Sequence, residues 1–94
     1  MIRNYRDRDT ARFAEGEKVR QWESFRRQAE KRLRALDAAT SLGDLAALGS
    51  NRLESLKGNR KGQYSIRINS QWRICFEWPN AEPGPSSAEI VDYH

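Results

Sequence analysis

Two arginines on neighbouring predicted strands are the first candidates for chemistry. Arg67 and Arg73 occupy odd positions in stretches whose even positions are apolar, so both side chains should lie on the same exposed face of a β-hairpin. Two cations this close repel each other unless an anion or an acid lies between them. The two arginines therefore either pair with Glu77 or Asp92 or clamp a phosphate group, and the spacing does not decide between these alternatives.

A basic segment leads directly into the first strand of this hairpin. Residues 51–62 (NRLESLKGNRKG) contain a single acid, Glu54, and two glycines that permit tight turns. A basic loop is usually only solvated, but one that runs into an arginine-bearing strand is a better candidate for an anion site. The cations predicted to contact nucleic-acid phosphates are Arg52, Arg60, Lys61 and Arg67.

The last three residues, Asp92, Tyr93 and His94, form a third candidate group. Terminal residues are usually frayed and inert, but the predicted final strand continues into this tripeptide and would hold it in place. Asp92 and the terminal carboxylate both favour the protonated imidazole of His94. This histidine is therefore a candidate general acid.

These residue types together suit the cleavage of RNA by its own 2′-hydroxyl. That reaction needs a base for the hydroxyl, cations for the charge of the phosphorane and an acid for the leaving 5′-oxygen, and it needs no metal or cofactor. One cysteine and one histidine exclude a structural zinc site. The sequence contains no P-loop, no dinucleotide fingerprint and no strand–turn–helix serine elbow. We therefore expect no metal and no cofactor.

Composition limits where and how such a site is built. The 94 residues suffice for one domain, predicted to cover residues 1–94, and nine aromatic residues argue against disorder. Of the 17 cations that give the net charge of +4, 13 are arginine, whose planar fork matches phosphate geometry. Cys75 is the only cysteine, which predicts a reducing, cytoplasmic location. No apolar run approaches the roughly 18 residues of a membrane span, so no membrane partner is expected.

Hydrophobic periodicity predicts the elements that position these residues. A strand at 2–5 is followed by a short helix ending at Ala14, and apolar residues three or four apart from Val19 to Leu36 predict a helix of about five turns. Ser41 should cap a further short helix. Alternation over 64–78 predicts the hairpin, and a last strand covers 88–93.

The order of these elements predicts an α+β fold. It reads β-α-α-(short α)-β-β-β, with two N-terminal helices packed on a mainly antiparallel four-stranded sheet. The helices should cover the sheet face that carries Ile66, Ile68, Ile74 and Phe76. The opposite face, with Arg67 and Arg73, should then be free.

Several short motifs, specific in combination, resemble the HigB branch of the RelE superfamily of toxins. The resemblance covers nearly the whole chain. It is carried by Arg52-Leu53, Leu56-Lys57-Gly58, Gly62-Gln63-Tyr64-Ser65-Ile66-Arg67-Ile68, Gln71-Trp72-Arg73-Ile74 and Val91-Asp92-Tyr93-His94.

The resemblance implies a microbial-ribonuclease-like α+β domain that acts as the toxin of a type II toxin–antitoxin pair. Such toxins enter the A site of the 70S ribosome and cut the mRNA there, which inhibits translation and growth. A cognate helix-turn-helix antitoxin, HigA-like in this branch, neutralises the toxin, and the pair binds its own operator DNA.

The resemblance also assigns active-site positions. Its motifs place Lys57, Arg73, Asp92, Tyr93 and His94 on the active-site positions of the family. Some members have a histidine three residues before the lysine, where this chain has Glu54.

We accordingly predict that Glu54 or a neutral Lys57 accepts the proton of the 2′-hydroxyl and that Arg73 stabilises the phosphorane. Tyr93 stacks on a base or orients the phosphate. His94, held by Asp92, protonates the leaving oxygen.

Two other functions remain open from the sequence. One is a non-catalytic component of a toxin–antitoxin complex that binds RNA or operator DNA. The other is a ribonuclease that acts without the ribosome.

Overall fold

The computed structural model describes residues 1–79 and 81–93. The α-helices in this part of the chain are α1 (Arg8–Ala14), α2 (Arg26–Ala38) and α3 (Leu42–Ala47). The strands are β1 (Glu54–Ser55), β2 (Gln63–Arg67), β3 (Trp72–Glu77) and β4 (Ser86–Asp92). Short 3-10 helices cover Arg20–Phe25, Gly49–Asn51 and Gly58–Arg60. The α+β class and the succession of helices before strands are confirmed.

The four strands form one sheet in the order β1-β2-β3-β4, with every neighbouring pair antiparallel. The predicted hairpin is confirmed, because β2 pairs with β3 and sets Ile66 opposite Ile74. Its register also sets Arg67 directly opposite Arg73. Since side chains alternate between faces, the two arginines share the sheet face opposite the two isoleucines.

The core lies between the helices and one face of the sheet. The three sheet residues Ile66, Ile74 and Phe76 are fully buried in one hydrophobic cluster with helix residues Ala29 and Leu36. The helices therefore cover the face that the alternation predicted to be apolar. This packing fixes β2 and β3, and with them the positions of the side chains on the other face.

Replacement of Ile74 by alanine tests this core. Because Ile74 is fully buried in the central part of the sheet, the change should lower the free energy of unfolding by about 2–5 kcal/mol. Urea denaturation followed by tryptophan fluorescence measures the loss. Leu48→Ala is the control, since Leu48 is half exposed and its truncation should change stability by less than about 0.5 kcal/mol. Equal losses in the two variants would contradict this packing.

The prediction of a strand at Ile2–Tyr5 is wrong. The segment runs beside β4 but makes a single parallel bridge, between Tyr5 and Ala88. The backbone of β4 is locally irregular there, because Ser87 has a φ of 53° and donates its N–H to the side chain of Asn4. A regular ladder cannot continue past such a residue. The fourth strand of the sheet is instead β1, in the segment predicted to be a loop.

The five-turn helix predicted from Val19 is divided in two. A 3-10 helix covers Arg20–Phe25, and α2 starts at Arg26. Phe25 has φ −125° and ψ 26°, which interrupts the α-helical path. The carboxylate of Glu23 accepts the N–H of Val19 at 3.0 Å and closes the first turn. The apolar spacing contains a signal for this division, since it is three residues twice before it becomes four.

The sequence predicted that the sheet face with Arg67 and Arg73 is free, and this prediction is wrong. Ser65 and Cys75 are fully buried on this face, and Arg73 is only 7% exposed. Residues outside the hairpin contact Arg73 on this face, because the carbonyl of Arg52 accepts a hydrogen bond from it and the ring of Tyr93 lies 5.5 Å from its guanidinium carbon. The arginine face is therefore the floor of a partly covered groove.

Candidate active site

A groove of about 320 Å³ opens beside the hairpin turn. It lies where β1, the ends of β2 and β3 and the residue after β4 meet. Two hairpin-turn residues and five residues named in the sequence predictions line it: Arg52, Glu54, Arg67, Asn69, Ser70, Arg73 and Tyr93.

The guanidinium of Arg73 is held firmly in this groove. Its Nε donates to the hydroxyl of Ser65 at 2.7 Å, and its Nη2 donates to the carbonyls of Ser65 (3.3 Å) and Arg52. Its Nη1 lies 3.7 Å from the carboxylate of Glu54. A buried cation that several acceptors hold in one orientation costs little reorganisation when it stabilises a developing negative charge.

The backbone at Arg52 is shaped to hold this arginine. Arg52 ends the 3-10 helix Gly49–Asn51 in the left-handed conformation, with φ 49° and ψ 50°. This conformation costs a residue with a side chain about 1–2 kcal/mol. In it the Arg52 carbonyl accepts from Arg73 while the Arg52 side chain stays exposed in the groove.

Glu54 is the carboxylate of the groove. It lies on β1 opposite Ser65, and its side chain is 52% exposed. One alternative from the sequence was that Arg67 and Arg73 pair with Glu77 or Asp92. In the structure the ion-pair partner of Arg73 is Glu54. A carboxylate that is open to solvent and beside a fixed cation can both accept a proton and reach a ligand.

Tyr93 forms a wall of the groove. Its ring centroid lies 5.5 Å from the guanidinium carbon of Arg73. Its N–H donates to the carbonyl of Gln71 at 2.6 Å, and the Gln71 side chain donates to Asp92 at 3.0 Å. These bonds attach the chain after β4 to the hairpin, as predicted for Asp92 and Tyr93. His94 lies outside the described residues.

The structure does not bring every predicted residue into the groove. Lys57 precedes the 3-10 helix Gly58–Arg60 and is exposed, as is Lys61 after it, and neither lines the groove. The role of Lys57 stays a prediction.

Arg60 is engaged elsewhere on the sheet. It donates to Glu89 and to Gln63, each at 3.0 Å, and Arg6 lies 3.5 Å from the same glutamate. The hydrogen bond that Arg60 donates to Glu89 raises the pKa of Arg60 above its usual value. Because its charge is paired inside the protein, Arg60 is a weaker candidate for RNA binding than the arginines of the groove.

Arg52 and Arg67 carry the open positive charge of the groove. Arg67 donates to the carbonyl of Asn69 at 3.1 Å. Neither arginine forms an ion pair with any carboxylate of residues 1–79 and 81–93. The arrangement therefore favours the phosphate clamp over internal pairing for Arg67.

Two further groove residues, and one buried residue that bonds to Arg73, were not predicted as site residues. Asn69 and Ser70 were read only as a turn, and Ser65 only as a polar strand position. Asn69 accepts the N–H groups of Gln71 and Trp72, each at 2.8 Å, and so fixes the turn beside Arg67. The signal for Ser65 was its odd position, which places it on the same sheet face as Arg73.

Two kinds of site are absent from residues 1–79 and 81–93. Within the described part of the chain, no group of three or more His, Cys, Asp or Glu side chains is placed to hold a metal ion. No helix in that part is both long and apolar enough to cross a membrane.

Comparisons of the sequence identify related proteins. Residues 3–94 match the family model of HigB-like toxins, described as the RelE-like toxin of the type II toxin–antitoxin system HigB. Toxin HigB-1 of Vibrio cholerae serotype O1 is 48% identical over 48 residues, 51% of this chain and 50% of that protein. Endoribonuclease HigB of Proteus vulgaris is 40% identical over 63 residues, 67% of this chain and 65% of that protein. Each alignment thus spans less than two thirds of the relative.

Solved structures share the fold. A YoeB–YefM complex from Staphylococcus aureus superimposes with a TM-score of 0.57 at 20% identity, covering 100% of this chain and 98% of the matched chain. A heterotetrameric YoeB–YefM toxin–antitoxin complex from the same organism gives a TM-score of 0.53 at 18% identity, with the same coverage. At these identities the likeness establishes the architecture.

Proposed function

The chain belongs to the family of HigB-like toxins, the RelE-like toxins of type II toxin–antitoxin systems, and from this premise we propose that it is an endoribonuclease. It cleaves mRNA in the ribosomal A site through attack by the RNA's own 2′-hydroxyl, and thereby inhibits translation and growth. The name of the Proteus vulgaris relative supports the endoribonuclease activity.

One observation carries the proposal, namely the fixed guanidinium of Arg73 at the floor of an open, cationic groove. Arg73 is 7% exposed and fully engaged on one side, while its Nη1 faces Glu54. Arg52 and Arg67 add open cations to the same groove. A fixed cation beside a carboxylate, with two further cations in the same groove, suits a phosphodiester whose charge increases in the transition state.

The groove supports the first half of the reaction. Glu54 takes the proton from the 2′-hydroxyl, and the 2′-oxygen forms a bond to phosphorus. Arg73 stabilises the negative charge of the resulting phosphorane. Lys57 is the alternative base. The geometry supports it less well than Glu54, because Lys57 does not line the groove.

The second half of the reaction releases the 5′-oxygen. The bond from phosphorus to that oxygen breaks, which leaves a 2′,3′-cyclic phosphate on one fragment. His94 donates the proton that the leaving oxygen needs, and Asp92 holds its imidazole. Asp92 directly precedes Tyr93 of the groove and accepts a hydrogen bond from Gln71.

The proposed partners follow from the family. The toxin binds the 70S ribosome and its mRNA in the cytoplasm, and a HigA-like helix-turn-helix antitoxin neutralises it. The pair binds operator DNA through the antitoxin. One of the two matched structures is described as a heterotetrameric toxin–antitoxin complex, which supports an antitoxin partner.

Changes at Tyr93 test whether its ring or its hydroxyl acts on the RNA. We expect Tyr93→Ala to lower kcat/KM for ribosome-bound mRNA by about 5- to 150-fold, because base stacking on an aromatic ring contributes about 1–3 kcal/mol. Tyr93→Phe keeps the ring over Arg73 and should stay within about twofold of wild type. A Phe variant as weak as the Ala variant would instead assign the effect to the hydroxyl.

Primer extension tests the proposed function. The protein is added to an mRNA threaded through programmed ribosomes and, separately, to the same mRNA free in solution. We expect cuts at the A-site codon of the ribosome-bound mRNA and none on the free mRNA. Cuts on both substrates would show a ribosome-independent ribonuclease. Binding to ribosomes without any cut would show a non-catalytic RNA-binding component.

A further inference from the structure

A second groove of about 400 Å³ continues from the candidate active site toward α2. The two grooves share the residues Arg52, Arg67, Asn69 and Ser70. Its volume falls within the roughly 300–1,000 Å³ that ligand sites usually have. A polynucleotide that passes the first groove can therefore continue into the second.

The far wall of this second groove is formed by Gln28 and Arg32. Both lie on α2, four residues apart, so their side chains project from the same face of the helix. None of the site residues predicted from the sequence lies on α2. The structure instead turns part of that face toward the groove.

Arg32 is held in position by a buried side chain. Its Nη1 donates to Oδ1 of Asn51 at 2.7 Å. Asn51 is 1% exposed and is itself fixed, because its Nδ2 donates to the carbonyl of Leu45 at 3.0 Å. An arginine has five N–H donors, so the bond to Asn51 leaves others available to a ligand.

The cations that line this groove have no carboxylate partner among residues 1–79 and 81–93. No carboxylate in the described ranges forms an ion pair with Arg32, Arg52 or Arg67. Elsewhere on the surface, by contrast, Arg26 pairs with Glu23 at 2.6 Å. Three cations gathered in one groove without an acid repel one another, and a bound anion removes that repulsion.

We propose that this second groove binds the mRNA phosphodiester next to the one that is cut, with Arg32 as its specific contact. The inference rests on the proposed function and deepens it, because it assigns a second phosphate site to the same RNA strand. Arg52 and Arg67, which line both grooves, contact the strand between the two phosphates. Asn51 is a positioning residue that aims Arg32.

A pair of matched variants tests the site without requiring cleavage. Arg32→Gln removes the proposed contact, and Arg34→Gln makes the same charge change on the same helix but outside the groove. The probe is a fluorescently labelled RNA pentanucleotide with 2′-O-methyl groups, which cannot be cut. Anisotropy should show binding weakened about 5- to 10-fold by Arg32→Gln and less than twofold by Arg34→Gln. The slope of log K against log salt concentration is negative, and Arg32→Gln should make it shallower by about 0.7, the value for one phosphate of a single strand.

A chemical substitution in the RNA distinguishes the mRNA from ribosomal RNA as the source of the phosphate. Programmed ribosomes carry an mRNA with a neutral methylphosphonate at the linkage on either side of the cut. If Arg32 contacts one of these linkages, Arg32→Gln should lower the rate of cleavage of the normal mRNA by about 5- to 10-fold. The same variant should cut the mRNA with the methylphosphonate at that linkage at nearly the wild-type rate for that mRNA. Equal losses on normal and modified mRNA would overturn the proposal, since Arg32 would then act on another anion such as ribosomal RNA.

The two proposals can fail separately. If wild-type protein does not cut ribosome-bound mRNA but Arg32→Gln still weakens the pentanucleotide selectively, the proposed function fails and the second phosphate site stands. If cleavage is normal but Arg32→Gln and Arg34→Gln weaken binding equally, the second site is overturned and the proposed function stands.

Discussion

Arg73→Ala is expected to slow cleavage of ribosome-bound mRNA by about 10²–10³-fold, the usual cost of removing one fixed donor to a developing negative charge. The reason is structural, because the guanidinium is already oriented by Ser65 and Arg52 before any RNA binds. Single-turnover primer extension with toxin in excess over programmed ribosomes measures the rate of the chemical step.

The same substitution should also cost stability. The sequence predicted that Arg73 lies on an exposed face, but its side chain is buried and makes several hydrogen bonds. Its removal leaves buried acceptors unsatisfied, at a cost of about 1–3 kcal/mol. Thermal unfolding therefore accompanies the rate measurement, which is made well below the midpoint of the variant.

Two further variants make the result interpretable. Arg73→Lys keeps the charge but lacks the planar fork, and we expect it to be less impaired than Arg73→Ala but clearly slower than wild type. Arg12→Gln is the control, because Arg12 lies on α1 and pairs with exposed Glu17 at 3.1 Å, away from the groove. A folded Arg73→Ala protein that cuts as fast as Arg12→Gln would remove Arg73 from the mechanism.

Glu54→Gln is expected to lower the rate of cleavage by about 10²-fold or more, within the range of about 10²–10⁴ that a general base supplies. Glutamine keeps the volume but cannot accept the proton. Lys57→Met should have a smaller effect, because Lys57 is exposed and does not line the groove. The rate of single-turnover cleavage is measured for both variants.

The stability of the two variants is the control for this comparison. The side chain of Glu54 is 52% exposed while that of Arg73 is only 9% exposed, and the atoms of their ion pair lie 3.7 Å apart. Thermal unfolding of both variants is therefore measured beside the rate, so that a loss of fold is distinguished from a loss of the base. A large drop in rate for Lys57→Met, with Glu54→Gln nearly unaffected, would assign the proton transfer to the lysine.

The hairpin could be predicted from the sequence because its signal is local. Alternation from Tyr64 to Trp78 determines which side chains share a face, and the turn residues Asn69 and Ser70 set the register. The packing of the helices on Ile66 and Ile74 follows from the same pattern. These features depend on residues that are close in sequence.

The state of the opposite face could not be predicted in the same way. The burial of Arg73 depends on Arg52, whose carbonyl accepts a hydrogen bond from it, and on Tyr93, whose ring lies beside it, and both residues are outside the hairpin. Local alternation contains no information about such a cover. The small residues Ser65 and Cys75 beside Arg73 are consistent with a covered face, but they do not require one.

Only part of the candidate site could be predicted, because contacts between distant segments decide which side chains meet. Arg52, Glu54, Arg67, Arg73 and Tyr93 meet in one groove because antiparallel pairing brings β1 and the end of β4 to the hairpin. The basic segment was predicted as a loop, and its short strand diverts Lys57 and Arg60 away from the groove. Spacing along a loop does not fix the direction of its side chains.

The central claim, that the RNA's own 2′-hydroxyl is the nucleophile in the A site, is tested most directly by one atom of the substrate. Ribosomes are programmed with two mRNAs that differ only in a single 2′-deoxy sugar at the nucleotide whose linkage is cut, and primer extension maps the products. We expect a cut at that linkage in the normal mRNA and none there in the deoxy mRNA. A cut of equal rate at the same linkage in both mRNAs would contradict the mechanism.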